Sequence, residues 1–258
     1  MSLDKIMKDT DGRTEGEAIV FISGKGGVGK TVTSVNLAVS LANKGFSTCI
    51  LDGNFQFGDV NLALDIQPSF TIRDLVQDAE ALESLKISYY LERHTSGLNV
   101  LSAPMKPEEA DLITQFHIKT ICKKILEEQD FLIIDLPTGI SENNLNFMEI
   151  AHKIFLVTEC SLAAVKNTKA MLRVINMLNM NNKIKVIINN CEGNNMINTR
   201  NIQDILDIEE ITFIPKNSKL VSKSFAMGTP FVAIKPNEKI SKEIKALASQ
   251  LCNNRKAK

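Results

Sequence analysis

One string constrains this chain more than any other feature: Gly24-Lys25-Gly26-Gly27-Val28-Gly29-Lys30-Thr31. It has the spacing GxxxxGK followed by Ser or Thr, it follows an apolar run, and it opens a stretch with helical periodicity. Glycines in such a loop let backbone N–H groups approach phosphate oxygens, because no Cβ atom stands in the way. A helix beginning near Lys30 would direct its positive end at the same anion. The string therefore predicts a phosphate-binding loop.

Two side chains at the end of this loop have the chemistry that a bound nucleotide needs. The ammonium group of Lys30 would reach the β- and γ-phosphates of ATP, and the Thr31 hydroxyl would ligate Mg²⁺. ATP and Mg²⁺ are therefore the predicted cofactors. The alternative is a glycine-rich turn that binds nothing.

The rest of the chain alternates short apolar runs with stretches of helical spacing, which predicts an α/β fold. The runs are apolar throughout, as is typical of strands that are covered on both faces. Strand–helix alternation favours a doubly wound, mainly parallel sheet with helices on both faces, whose ligands bind at the carboxyl ends of the strands. The predicted strands are 18–22, 48–51, 98–101, 131–134, 154–157, 185–188 and 211–214.

Length and composition indicate one domain. The 258 residues, 44% of them apolar, are enough for one substantial core, which we assign to residues 18–252. Residues 1–17 are predicted to be a flexible tail and residues 253–258 a short polar, basic tail. The five cysteines are scattered without a CxxC pair, which argues against a disulfide framework or zinc site and fits a cytoplasmic protein.

Charge and hydropathy bear on the partners. Thirty basic and thirty acidic residues cancel, so no whole-chain field draws the protein to DNA or anionic lipid. DNA binding through a surface patch stays open, because patches are not visible in a sequence. No apolar run approaches the roughly eighteen residues that a spanning helix needs.

Two carboxylates end strands at the edge where the phosphates are expected. Asp52 ends the second predicted strand, and Asp135 directly follows the fourth. Behind a phosphate loop, both are predicted to lie near the metal together with Thr31. The alternative for either aspartate is a helix cap or a turn residue, which is common at strand ends.

The second lysine of the loop, Lys25, makes GKGGVGKT resemble the deviant phosphate loop of the MinD/ParA family of ATPases. In that family this lysine reaches across a dimer to the partner's nucleotide. The resemblance implies an ATP-dependent homodimer in which Lys25 and Lys30 act in catalysis with Asp52 and Asp135. It also implies that the backbone N–H of Val32 contacts the α-phosphate, although Val32 lacks the hydroxyl that relatives often carry.

The chain departs from the family at Asn54, where relatives usually have the second aspartate of a D-x-D string. That aspartate helps to position the attacking water, and an amide cannot take up a proton in its place. We therefore expect Asn54 to stand at the water-positioning site and ATP hydrolysis to be slow or absent. Asp59 is a candidate replacement for the missing aspartate. The base end of the site resembles the family at Asn189, whose equivalent recognises adenine, and at Pro215 in the segment that lines the adenine pocket. The alternative for Asn189 is a turn former.

Several softer segments resemble the CpaE/TadZ branch, which helps to localise and assemble pili at cell poles. They are FGDVNLALD (57–65), GLNVLSAP (97–104) and KNT (166–168). The string GISENNLNF (139–147) is similar to the flagellar-number regulator FlhG. These resemblances imply polar pilus or flagellar assembly proteins as partners. The short polar C-terminus argues against direct membrane anchoring, and recruitment to a pole or to the inner face of the membrane would then occur through partners.

Beside a pilus-positioning ATPase and the FlhG-like flagellar regulator, four further classes of protein come into consideration. One is a septum-site MinD, and another is a partition ATPase that binds DNA. A third is a non-hydrolysing scaffold with ATP as a structural ligand, which the Asn54 departure favours. The fourth, an iron–sulfur carrier, requires cysteines that converge near the switch segments. Residues 137–150 contain no cysteine and no paired spacing occurs elsewhere, so the sequence speaks against this alternative.

Overall fold

A computed structural model describes residues 15–77, 86–192, 199–208 and 210–256. The strands are β1 (Glu17–Ile22), β2 (Thr48–Asp52), β3 (Glu92–Arg93), β4 (Asn99–Leu101), β5 (Phe131–Asp135), β6 (Lys153–Glu159), β7 (Ile184–Cys191) and β8 (Ile211–Pro215). The helices are α1 (Lys30–Ala42), α2 (Val60–Leu64), α3 (Ile72–Gln77), α4 (Gln115–Glu128), α5 (Glu142–Ile150), α6 (Leu162–Met177), α7 (Thr199–Leu206), α8 (Ser218–Ala226), α9 (Phe231–Ile234) and α10 (Lys239–Lys256). Short 3₁₀ helices span Ile87–Tyr90, Pro107–Leu112 and Asn181–Lys183.

The strands form one sheet in the order β3-β4-β2-β5-β1-β6-β7-β8. Neighbouring strands pair parallel, apart from the antiparallel pair of β3 and β4. The predicted doubly wound, mainly parallel sheet is thereby confirmed. The sequence did not predict β3, because its two residues are charged and form no apolar run.

Both faces of the sheet are buried, and β1 shows how one strand serves two cores. Ile19 and Phe21 face the core that α1 and α10 cover. Val20 and Ile22 face the opposite core, which α4 and α6 cover. Alternate residues of a strand point to opposite faces, so a central strand between two helical layers must be apolar at every position. This is why the run reads as continuously apolar in the sequence.

Both predicted tails are shorter than expected: the N-terminal one ends sooner, and the C-terminal one begins later. β1 already includes Glu17, which is buried and pairs with Lys153 Nζ at 2.5 Å. At the other end, α10 continues to Lys256. Arg255 lies over the Phe131 ring at 5.6 Å and contacts Asp130 Oδ1 at 3.1 Å. The polar C-terminal residues up to 256 are therefore part of the last helix, because their charged groups find partners on the sheet. Residues 1–14 lie outside the described residues.

Among the described residues, no helix has both the length and the apolar character that a membrane span requires.

Candidate nucleotide-binding site

The phosphate loop joins β1 to α1 at the carboxyl edge of the sheet. Its turn depends on Gly27 and Gly29, whose φ angles of 76° and 86° lie in the left-handed region that residues with a Cβ rarely adopt. Gly29 has a second constraint, because a Cβ there would lie 2.2 Å from Asn189 Nδ2. Gly27 and Gly29 are thus required by the backbone itself.

Three side chains outside the loop hold its carbonyl groups. Asn189 Nδ2 donates to the carbonyl of Val28 at 2.8 Å, and Asn167 Nδ2 donates to that of Gly24 at 2.9 Å. Ser23 Oγ donates to the carbonyl of Lys25 at 3.0 Å. The donors come from β7, from α6 and from the residue after β1. These contacts hold the loop in shape within the protein itself.

The two strand-end aspartates meet directly. Asp52 and Asp135 are paired neighbours across β2 and β5, and both side chains are buried. Thr31 Oγ1 donates to Asp135 Oδ2 at 2.6 Å, and Ser34 Oγ donates to Asp135 Oδ1 at 3.0 Å. Asp52 accepts backbone N–H groups of its own segment. The structure therefore brings the predicted metal-side residues Thr31, Asp52 and Asp135 together. Ser34 was missed, because nothing in the sequence points to its partner.

Burial disfavours the charged form of both carboxyl groups. Burial raises the pKa of Asp52 to about 7, and the neighbouring Asp135 adds to this rise. Burial also raises the pKa of Asp135, against the opposing effects of Lys30 and of the hydrogen bonds from Thr31 and Ser34. A cation placed here would lower both pKa values and relieve the repulsion between the two carboxylates.

The oxygen groups fit Mg²⁺ in kind, since carboxylates and hydroxyls are the ligands that this ion prefers. Within the described part of the chain, no group of three or more His, Cys, Asp or Glu side chains could hold a metal by itself. Protein ligands are few where Mg²⁺ is bound largely through phosphates and water. The site therefore fits an ion that arrives with a nucleotide.

In the segment after β2, the side chain of Asn54 forms hydrogen bonds within its own turn. The Asn54 side chain donates through Nδ2 to the carbonyl of Phe57 and accepts the Phe57 N–H at 3.4 Å. Its amide thus closes its own turn. Asp59 is exposed at the start of α2 and lies close enough to raise the pKa of both Asp52 and Asp135. A Cβ at Gly58 would lie 2.2 Å from Asp52 Oδ2, so this segment packs tightly on the carboxyl edge.

Lys25 forms an ion pair within the chain, with 2.6 Å between its Nζ atom and Glu159 Oε1. Glu159 ends β6, and the hydrogen bond from Lys25 lowers the pKa of this carboxyl group. Sequence reasoning missed Glu159. The signal was present, because an acidic residue at the carboxyl end of an apolar strand is what identified Asp52 and Asp135.

A pocket of about 220 Å³ lies beside the loop, where the base would follow the phosphates. It is lined by Val32 and Asn189, whose nucleotide contacts stay a prediction. It also includes Ile214, whereas the neighbouring Pro215 does not line it. Asn190, in the left-handed region with φ of 56°, lines the pocket too. Tertiary packing adds Val221, Phe231 and Ile240 from later helices.

One pair of cysteines comes together next to this site. The Sγ atoms of Cys160 and Cys191 lie 3.8 Å apart. Cys160 directly follows β6, and Cys191 is the last residue of β7. Thirty-one residues separate the two in sequence, so no CxxC-like spacing could have indicated the pair. Two cysteines that are distant in the sequence are therefore neighbours in the structure, although neither forms a disulfide there.

A comparison with protein families decides the family. The family model named ParA, described as "NUBPL iron-transfer P-loop NTPase", matches residues 15–252. The chain belongs to the ParA/MinD family of P-loop NTPases. Among its relatives, the septum site-determining protein MinD of Thermotoga maritima is 27% identical over 244 residues, which cover 92% of this chain and 88% of that protein. MinD of Bacillus subtilis is 30% identical over 199 residues, covering 76% and 71%.

Solved structures of ParA/MinD proteins share the fold. A ParA family ATPase from Chlorobium tepidum superposes with a TM-score of 0.85 at 19% identity, covering 92% of this chain and 99% of that one. The MinD protein of Pyrococcus horikoshii, complexed with Mg-ADP, gives 0.79 at 22% identity, covering 92% and 96%. The predicted membership of the ATP-binding MinD/ParA P-loop class is confirmed. The CpaE/TadZ branch stays a prediction.

Proposed function

We propose that this protein is a nucleotide switch that binds MgATP at residues 24–31 and, in that state, pairs with a second copy of itself. One observation carries the proposal: a phosphate loop of the MinD/ParA type lies beside two buried aspartates, Asp52 and Asp135, at one edge of the sheet. A loop alone would bind phosphate. The loop together with the buried carboxyl pair and Thr31 gives a site for a nucleotide with its metal.

Each part of the ligand has a place in this proposal. The loop N–H groups and Lys30 hold the phosphates, and the N–H of Val32 donates to the α-phosphate. Thr31, Asp52 and Asp135 hold Mg²⁺, directly or through water, and bound Mg²⁺ supplies positive charge to the triphosphate. The pocket beside Asn189 takes the adenine. The Mg-ADP complex of the Pyrococcus horikoshii relative supports this choice of ligand.

Hydrolysis in this proposal depends on Asp59 rather than on Asn54. Both the nitrogen and the oxygen of the Asn54 side-chain amide are hydrogen-bonded to the backbone of Phe57, so the amide is engaged within its own turn. Asp59 is exposed and within electrostatic reach of both buried aspartates. A carboxylate there can orient water and accept its proton, which an amide cannot. We expect slow turnover, since Asp59 stands five positions beyond the usual place. The scaffold alternative, which Asn54 favours, predicts none.

In the dimer, Lys25 leaves Glu159 and reaches the partner's nucleotide. The exposed fraction of the Lys25 side chain is 38%, and its ion pair is therefore screened and readily exchanged. The triphosphate of a second copy carries more negative charge than one carboxylate. ATP binding would thus favour the paired state over the separate subunits.

Nucleotide binding and dimerisation test these proposals separately. Calorimetry with MgATP should show binding that Lys30→Ala abolishes, and sedimentation should show an ATP-dependent dimer that Lys25→Ala abolishes while binding persists. Lys44→Ala is a matched control, because Lys44 is exposed at the end of α1. Binding by Lys30→Ala equal to that of the parent would contradict the site. An unchanged dimer in Lys25→Ala would contradict the pairing.

The cellular role that we propose is positioning or assembly of a polar structure, as in the CpaE/TadZ branch. Segments 57–65 and 97–104 support this branch by resemblance. The MinD relatives support a second candidate, placement of the division septum. Deleting the gene distinguishes the candidates: loss of pili supports the first, misplaced septa the second, and altered flagellar number an FlhG-like role.

A further inference from the structure

Cys160 and Cys191 are the two cysteines that the structure leaves partly exposed. Their Sγ atoms are 3.8 Å apart, and Cys191 also donates to the carbonyl of Ile188 at 3.2 Å. Cys49, Cys122 and Cys252 are buried in the two cores. A reagent in solution therefore meets one thiol pair. None of the described cysteines forms a disulfide.

The backbone around the pair can accommodate a bond. Parallel strands β6 and β7 run side by side up to the register pair Glu159 and Asn189, and each cysteine lies one or two residues further. The pairing of β7 with β8 shifts register between Ile188 and Cys191, and Asn190 has left-handed backbone. The strand end is thus already irregular, so it can move without breaking a regular ladder. A disulfide needs the Sγ atoms to approach from 3.8 Å to about 2.05 Å.

We propose that Cys160 and Cys191 form a reversible intrachain disulfide that weakens nucleotide binding at the adjacent phosphate loop. The part about binding rests on the proposed function. We expect weaker binding because a residue just before each cysteine contacts the phosphate loop. Glu159 holds Lys25, and Asn189 holds the Val28 carbonyl.

The reaction needs a disulfide oxidant, such as oxidised glutathione. The Cys160 thiolate attacks one sulfur of the oxidant, forming a mixed disulfide and releasing one glutathione thiolate. The Cys191 sulfur then attacks Cys160 Sγ, which forms the intrachain bond and releases the second thiolate. The two protein protons pass to the two released thiolates, and the oxidant takes up the two electrons. Burial, together with Cys160, raises the pKa of Cys191 to about 12, so Cys191 is still protonated while Cys160 reacts. It attacks second, as the thiolate, once the first released glutathione thiolate has taken its proton.

The expected effect on the nucleotide follows from the tight fit between β7 and the loop. There is no room between Gly29 and the Asn189 amide for a single added carbon, since a Cβ would lie 2.2 Å away. Drawing the end of β7 toward β6 therefore displaces either the amide or the loop. Because the reduced form already holds the loop by three side chains, displacement weakens binding.

Bond formation is tested on the full chain with oxidised glutathione and no nucleotide. Intact mass should fall by two hydrogen atoms, and thiol titration after denaturation should fall from the five cysteines of the sequence to three. Dithiothreitol should reverse both. Cys191→Ser should stop at a mixed disulfide on Cys160, and Cys252→Ser should still form the bond. Five remaining thiols, or a bond that joins other cysteines, would overturn the proposal.

Coupling to the loop is tested on the same oxidised protein. MgATP affinity should fall at least about fivefold and recover on reduction. A change of about fivefold lies at the lower end of the usual coupling between two sites. The Cys160→Ser, Cys191→Ser double variant should not respond to the oxidant. Hydrogen exchange of residues 24–31 gives a readout without nucleotide and should differ between the two forms. Equal exchange and equal affinity in both forms would overturn the coupling, whereas a reduced protein that binds no ATP would overturn the proposed function instead.

Discussion

The side-chain amide of Asn189 donates to the carbonyl of Val28 at 2.8 Å and thereby joins the end of β7 to the phosphate loop. The same amide limits the residue at position 29 to glycine. This relationship connects two segments that are 161 residues apart in sequence. It gives Asn189 a structural task at the site, beside the adenine contact that stays a prediction.

Alanine at Gly29 should therefore cost more stability than alanine at Gly45. Both glycines have φ of 86°, but nothing lies within 4 Å of a Cβ at Gly45. Left-handed strain alone should lower the free energy of unfolding of Gly45→Ala by about 1–2 kcal/mol. Gly29→Ala has the same strain plus the clash, and adding Asn189→Ala should relieve part of the difference. Urea unfolding checks this, and equal losses in both single variants would contradict it.

The nucleotide-free protein should lose stability as the pH rises toward neutral. Burial raises the pKa of Asp52 from its ordinary value of 3.8 to about 7. The folded state therefore holds this proton more tightly than the unfolded chain does. Its contribution is fully present below about pH 4 and is lost as the pH rises through about 7. Buried Asp135 acts in the same direction.

Urea unfolding across this pH range checks the direction. Asp52→Asn mimics the protonated group at every pH, so it should flatten the profile. Asp65→Asn, on an exposed residue at the end of α2, serves as the control and should keep the parent's slope. Stability that rises with pH in the parent would be incompatible with a raised pKa at Asp52.

Turnover should depend on Asp59. If its carboxylate orients the attacking water, Asp59→Asn should lower steady-state phosphate release by about tenfold or more while MgATP affinity stays the same. Asp65→Asn makes the same substitution at the other end of α2 and should retain the parent's rate. Asn54→Asp is the complementary variant: it restores the family's aspartate, although it removes the amide donor to Phe57, and it should raise turnover. An unchanged rate in Asp59→Asn would remove Asp59 from the mechanism.

Arg255 should stabilise the fold although it lies almost at the end of the chain. Its guanidinium group contacts Asp130, donates to the carbonyl of Glu15 and lies over Phe131. The Arg255 side chain is only 9% exposed, so truncating it leaves these partners without their contact to the guanidinium group. Arg255→Ala should lower the free energy of unfolding by about 1–2 kcal/mol. Lys242→Ala, on the exposed side of α10, should change it by less than about 0.5 kcal/mol in thermal or urea unfolding.

The sequence by itself determined the features that depend on neighbours along the chain. The phosphate loop is one of them, because its glycine positions and helix start are local. Seven of the strands are another, since burial on both faces leaves a continuous apolar run. The strand-end aspartates were also predictable, because parallel strands bring their carboxyl ends to one edge.

Only the tertiary structure decided which distant side chains meet there. The pairs Lys25 with Glu159, Asn189 with Val28 and Cys160 with Cys191 join residues from separate loops and strand ends, and no spacing in the sequence encodes such a contact. Asn54 and Arg255 show the same limit: their residue types did not indicate the hydrogen-bond partners that the structure gives them, which are Phe57 for Asn54 and Asp130 with the carbonyl of Glu15 for Arg255. A side chain's role depends on what packs against it, and that is set by the order of strands in the sheet.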